Sequence, residues 1–244
     1  MSTDDITKAE SPPSIALEHS ELLAVTTSDR AIWLELAAVV AIGILPWLSN
    51  ALLIVVSGPP RELPYWLDAT YMLLRDASVC FAVLYLIGRT GEPWKSFGLV
   101  RPRPIDLWLG LLLLGLSQVV WIRLARMLPV DTETIRLLFP LPRTPLDYVL
   151  MLFKSAAIGF TEELVSRAYL ITRLNRLTKS PAAAVLLSAM LFASYHVYYG
   201  LGAALADIVI LGLVFGVIYL LVRRIWPVAI AHMLVILLHD LQIG

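Results

Sequence analysis

One cysteine in 244 residues, Cys80, leaves no disulfide framework and no cysteine metal cluster. Its expected role is packing against lipid or core. Charge is scarce as well: charged residues make up 16% of the chain, where an average soluble domain carries about 25%. The net charge of zero says little about partners, and no nucleic acid is expected among them. No secretory signal is expected either. Residues 1–29 have no basic stretch ahead of an apolar core and contain Asp4, Asp5, Glu10, Pro12 and Pro13. They are expected to form a disordered cytoplasmic tail.

Apolar residues are what the chain has in excess. Hydrophobic residues reach 59% and the mean hydropathy is +0.78. The expected fold is all-α, a polytopic transmembrane helix bundle over residues 30–244. A span takes about 20 apolar residues. Candidates are 31–57, 65–88, 105–128, 146–171, 181–199, 201–222 and 225–243, giving about seven spans within a range of six to eight. The fourth helix is expected to run past the membrane towards Thr178. Breakers and charge fill the joints, among them Gly58-Pro59-Pro60, Gly91-Glu92-Pro93, Arg101-Pro102-Arg103-Pro104 and Ser180-Pro181.

Loop charge sets the expected orientation, because short cytoplasmic loops collect Lys and Arg. One set of ends holds Lys8, Arg30, Arg89, Lys95, Arg101, Arg103, Arg173, Arg176, Lys179, Arg223 and Arg224. The other holds Arg61, Arg136 and Arg143, with Arg123 and Arg126 close enough to snorkel. The N-terminus is therefore expected in the cytoplasm. Trp94 to Arg101, short, basic and aromatic, fits an interfacial segment or an ordinary basic loop.

Against this background, polar residues at membrane depth stand out, since one charge at a helix centre costs about 2.5–3.5 kcal/mol on insertion scales. The run from Thr161 to Leu170 holds Glu162, Glu163 and Arg167. Glu163 and Arg167 are four residues apart and can pair on one helix face. Glu162 points about 100° away, free for another partner and suited to general-base work. His196 and His232 lie in other apolar segments. With about 1.5 Å per residue, Glu162 is roughly 16 Å from Arg173 and His232 roughly 12 Å from Arg224. His196 falls roughly 25 Å from Lys179 by the same rule, deeper than the other two. Lys154 is a candidate counter-charge for Glu162. Arg75 and Asp76 are expected to find partners on separate helices. Asp207, His239 and Asp240 are placed near solvated outer ends. Gly212 and Gly216 form a small-xxx-small repeat suited to close helix packing. On residues alone, a charge cluster that ties helices together remains open beside a catalytic site.

Three motifs carry a resemblance. Glu162-Glu163-x-x-x-Arg167 followed by Tyr169-Leu170, Phe192-x-x-x-His196, and Trp226-Pro227 leading to His232 resemble the CPBP family. That family comprises CAAX prenyl endopeptidases and bacteriocin-processing intramembrane proteases. The likeness covers residues 146–243. It implies a glutamate-dependent endopeptidase with Glu162, His196 and His232 as catalytic residues. Glu163, Arg167 and Phe192 are the implied supporting residues. By the resemblance, Glu162 and His196 activate water and His232 stabilises the oxyanion. One position departs: where the family usually has asparagine four residues after the third-motif histidine, this chain has Ile236. The implied substrate is a membrane-associated peptide or protein near the cytoplasmic face, lipidated or CAAX-type among the open options. Membrane lipids are the other expected partner. No cofactor is implied, with zinc held by Glu162, His196 and His232 as the alternative. Two other readings stay open: a non-catalytic immunity or scaffold protein of the same fold, and a proton-coupled transporter.

Overall fold

The computed structural model describes residues 29–58, 63–131, 135, 138 and 140–241. The expected tail, 1–29, lies outside them except for Asp29, and so do Gly58's neighbours Pro59 and Pro60. Among the described residues the fold is all helix, without strands. Seven helices follow in order: α1 Asp29–Ser57, α2 Tyr65–Arg89, α3 Pro104–Met127, α4 145–178, α5 Pro181–Ser194, α6 Leu201–Val222 and α7 Ile225–Asp240. Of these, α1, α2, α3 and α6 are long and apolar enough to cross a bilayer. Large apolar side chains cover their outer faces, including Leu53, Phe81, Leu112 and Leu221. This is an integral membrane protein.

Local chemistry explains the helix starts. Thr144 caps α4 by accepting from the Asp147 N–H at 3.2 Å, while Asp147 accepts from the Thr144 N–H at 2.9 Å. Pro145 then stands at the first helical position, where its missing N–H costs nothing. Ser180 and Pro181 repeat the device at α5. Ser180-Pro181 is one of the breakers legible in the sequence.

Three helices carry π-helical stretches, at Val40–Ile44, Leu164–Ile171 and Ile208–Val214. The one in α4 begins right after Glu163, a placement typical of π segments at functional sites.

One span ends earlier than expected. The segment 181–199 is helical only to Ser194, a length of about 21 Å at 1.5 Å per residue, short of the ~30 Å hydrocarbon core. Tyr195 and His196 leave the helix with φ near −100° and ψ near 0° (Tyr195 −97°, 5°; His196 −101°, 3°). Gly200, at φ 89°, turns the chain into α6. The last helix runs to Asp240, and residues 242 and 243 of that expected span lie outside the described residues.

Packing between helices relies on small residues. A Cβ on Gly212 would come 2.7 Å from the Ala189 side chain, and one on Gly216 would come 2.9 Å from Val185. The small-xxx-small repeat thus seats α6 on α5. Gly159 does the same for α4 on α7, where a Cβ would lie 2.6 Å from the Met233 nitrogen.

The end bearing the basic residues is tied together by polar contacts. Arg224 makes two 2.6 Å bonds to Asp106 at the start of α3. Arg223 donates to the Ser96 carbonyl at 2.6 Å, and the Trp226 indole N–H to the Val100 carbonyl at 2.6 Å. Arg173 bridges Glu92 at 2.6 Å and Glu35 at 3.1 Å. The 94–101 segment is accordingly docked on the α6–α7 turn. Phe97 is fully buried there, stacked at 6.0 Å from Tyr169.

Candidate active site

Antiparallel packing brings the three motifs to one depth. Ser188 of α5 donates to the Ser166 carbonyl of α4 at 2.7 Å, which sets their register. One turn further along each helix, Phe192 and Glu162 fall level. Gly159 against Met233 places α7 at the same height. The extra depth of His196 noted from the sequence comes from this geometry: α5 ends there, at the level of Glu162.

Glu162 Oε2 is 3.8 Å from His232 Nε2 and receives the Tyr195 hydroxyl at 3.5 Å. On its other ring nitrogen, His232 Nδ1 is 2.8 Å from Glu163 Oε1. A carboxylate only accepts, so Nδ1–H is the donor. The second Glu163 oxygen faces Arg167 Nε at 3.1 Å. This is an ion pair without hydrogen-bond alignment, and neither terminal nitrogen of Arg167 has an acceptor among the described residues. The guanidinium instead lies over the Phe192 ring, 4.7 Å from its centroid. Glu163 and Arg167 are essentially unexposed.

Phe192 is the packing centre of the group. Its ring stacks on His196 at 4.6 Å and tilts against His232 at 6.0 Å. Its carbonyl accepts from His196 Nδ1 at 2.9 Å. That bond fixes the proton of a neutral His196 on Nδ1 and leaves Nε2 as a lone-pair acceptor. All six residues singled out from the sequence are thereby brought together.

Other expectations are corrected. Lys154 does not face Glu162; its ammonium is 2.8 Å from Asp240. Asp240 is not a solvated end residue but 5% exposed, and it also receives the Tyr65 hydroxyl at 2.8 Å. Two turns from His232, it is engaged elsewhere, and Glu163 orients that ring instead. Arg75 and Asp76 pair with each other at 2.7 Å, since a long arginine can curl back onto its chain neighbour.

Glu162, His196, His232 and Ile236 all line one cavity of about 1210 Å³. Its walls add Asp207 and Tyr195, which sequence reasoning did not put at the site. Asp207 is half-buried on the α6 wall rather than in a solvated end. A charged residue in a Gly/Ala-rich helix was the available signal. Among the described residues no group of three or more His, Cys, Asp and Glu side chains is arranged to hold a metal ion.

Compared with known families, residues 144–238 match the type II CAAX prenyl endopeptidase Rce1-like family. The matched segment, 95 of 244 residues, contains Glu162, His196 and His232. The CPBP likeness of the three motifs holds over it. No curated protein and no solved structure matches the chain.

Proposed function

With a carboxyl-terminal segment similar to the Rce1-like CAAX prenyl endopeptidases, a family of membrane proteases, we propose that this protein is an intramembrane glutamate-dependent endopeptidase. Its substrate is a membrane-associated peptide or protein. The observation that carries the reading is the common depth of Glu162, His196 and His232 on the wall of one cavity. At about 1210 Å³ that cavity exceeds the ~300–1,000 Å³ of a small-molecule site, which favours a substrate of peptide size.

In the proposed cycle, His196 Nε2 accepts a hydrogen bond from a water in the cavity. Glu162 takes the water's other proton as general base. The water oxygen attacks the scissile carbonyl carbon, and the oxyanion forms on the carbonyl oxygen. His232, as an imidazolium with Nδ1–H given to Glu163, donates Nε2–H to that oxyanion. Collapse breaks the C–N bond, and the proton on Glu162 passes to the leaving amine. Glu163 and Arg167 are positioning residues: they orient His232 and touch no reacting atom.

Ile236 offers no donor to the oxyanion, and loss of one such donor typically lowers rate by about 10²–10³. A slow enzyme is the consequence. The competing non-catalytic reading draws its support from this same residue.

Purified protein incubated with membrane-anchored peptides, with and without a zinc chelator, tests the proposal. Cleavage that persists in chelator supports it. Cleavage abolished by chelator and restored by zinc would replace it with the metal alternative.

A further inference from the structure

We infer that Tyr195 is a further catalytic residue of the proposed peptidase, its hydroxyl donating, together with His232, to the oxyanion. The inference rests on the proposed function and names a donor at a site where Ile236 offers none.

Tyr195 stands immediately ahead of His196, at the point where α5 ends. With φ −97° and ψ 5° it leaves the helix, and its side chain reaches across to Glu162 of α4. Three rings hold it there: Trp47 at 4.9 Å, Phe192 at 5.3 Å and His196 at 4.6 Å. The residue is 3% exposed, yet it lines the cavity with Glu162, His196, His232 and Ile236. A phenol packed between three rings keeps little freedom beyond rotation of its O–H. Its dipole is therefore in place before any charge develops.

Two donors converge on one atom. The Tyr195 hydroxyl is 3.5 Å from Glu162 Oε2, and His232 Nε2 is 3.8 Å from that same oxygen. In the proposed cycle Glu162 takes its proton from the attacking water, so the water and the carbonyl it attacks lie against this carboxylate. The oxyanion then forms between the two donors.

The length of the Tyr195 contact matters as much as its position. A hydroxyl fully engaged with a carboxylate sits at about 2.5–2.7 Å. At 3.5 Å this one is weakly held. The water's proton neutralises Glu162, and in the same step negative charge appears on the carbonyl oxygen. The hydrogen bond of Tyr195 passes from the carboxyl to the oxyanion. Tyr195 keeps its own proton throughout, and the proton on Glu162 still goes to the leaving amine. A donor that strengthens only as the transition state forms raises kcat and leaves substrate binding unchanged.

Packing alone accounts for the ring contacts but not for a hydroxyl directed at Glu162 Oε2. Phenylalanine would fill the same space with no polar atom to satisfy. The hydroxyl offsets part of what is lost at Ile236, so its contribution overlaps with that of an asparagine placed there.

Tyr195→Phe keeps the ring and deletes the hydroxyl. Wild type, Tyr195→Phe, Ile236→Asn, the double variant and Glu162→Gln are compared in detergent on one membrane-anchored peptide that wild type cleaves. Tyr195→Phe is expected to lose about 10²-fold in kcat at unchanged KM and melting temperature, and to lose less when Ile236→Asn is also present. A phosphinate analogue of the peptide, tetrahedral and anionic at the scissile position, is expected to bind Tyr195→Phe more weakly by a similar factor. Wild-type kcat in Tyr195→Phe would overturn the inference, and so would an equal loss of affinity for peptide and phosphinate. Either result leaves Glu162 as the base. Wild-type kcat in Glu162→Gln would instead overturn the proposed function itself.

Discussion

His232 Nδ1 stands 2.8 Å from one oxygen of Glu163, while the other oxygen of the same carboxylate faces Arg167 Nε at 3.1 Å. One glutamate therefore ties two helices, α4 and α7, through a histidine and balances its charge within its own helix. Glu162, next in the chain, is left to face the cavity. The adjacent pair divides its labour by the ~100° turn between neighbours.

Glu163→Gln keeps an acceptor oxygen for His232 but removes the charge. Turnover is expected to fall with KM little changed, because the substrate does not touch residue 163. Glu163→Ala also strands the buried Arg167 and is expected to destabilise by about 3–5 kcal/mol. Steady-state kinetics and thermal melting in detergent distinguish the two effects.

Lys154 and Asp240 are both buried and 2.8 Å apart. Lys154→Met leaves Asp240 as an uncompensated buried charge, at an expected cost of about 3–5 kcal/mol. Adding Asp240→Leu is expected to restore most of the stability, since a buried pair is replaceable by apolar residues of similar size. Melting of the single and double variants decides it. A single variant as stable as wild type would contradict the pairing.

Gly159→Ala forces a methyl group to within 2.6 Å of the Met233 backbone nitrogen. Overpacking of this kind costs about 1–3 kcal/mol, and here it pushes α7 away from α4, separating His232 from Glu162. Both melting temperature and turnover are expected to drop, the second more steeply.

Gly159 shows where legibility stopped. Its sequence context is ordinary, and nothing in a one-dimensional reading says which helix will cross at a glycine. By contrast, the helices themselves were plain, because apolar runs and Pro-marked starts are local signals. The α5 end was misplaced because Tyr195 to Tyr199 is as apolar and aromatic as the helix before it, and only the turn at Gly200 marks the break. Glu162, His196 and His232 stood out as polar residues in apolar segments, and the packed bundle brings all three to one cavity wall. The partners of Lys154, Arg75 and Asp240 were not legible, since long side chains choose among several neighbours and only the packed bundle selects one.

Ile236 shares the cavity wall with His232. Ile236→Asn places a side-chain N–H where the related motif has one, and turnover is expected to rise, by up to about 10²-fold, with little change in KM. Unchanged turnover in a folded variant would mean that another group already donates to the oxyanion.

In the proposed cycle Glu162 acts as the base. The most direct measurement is the single-turnover cleavage rate of a membrane-anchored peptide by wild type and by Glu162→Gln, with matched melting temperatures as the control on folding. The expected result is a fall of about 10²–10⁴-fold in rate, with peptide binding retained. A folded Glu162→Gln protein that cleaves at the wild-type rate would contradict it.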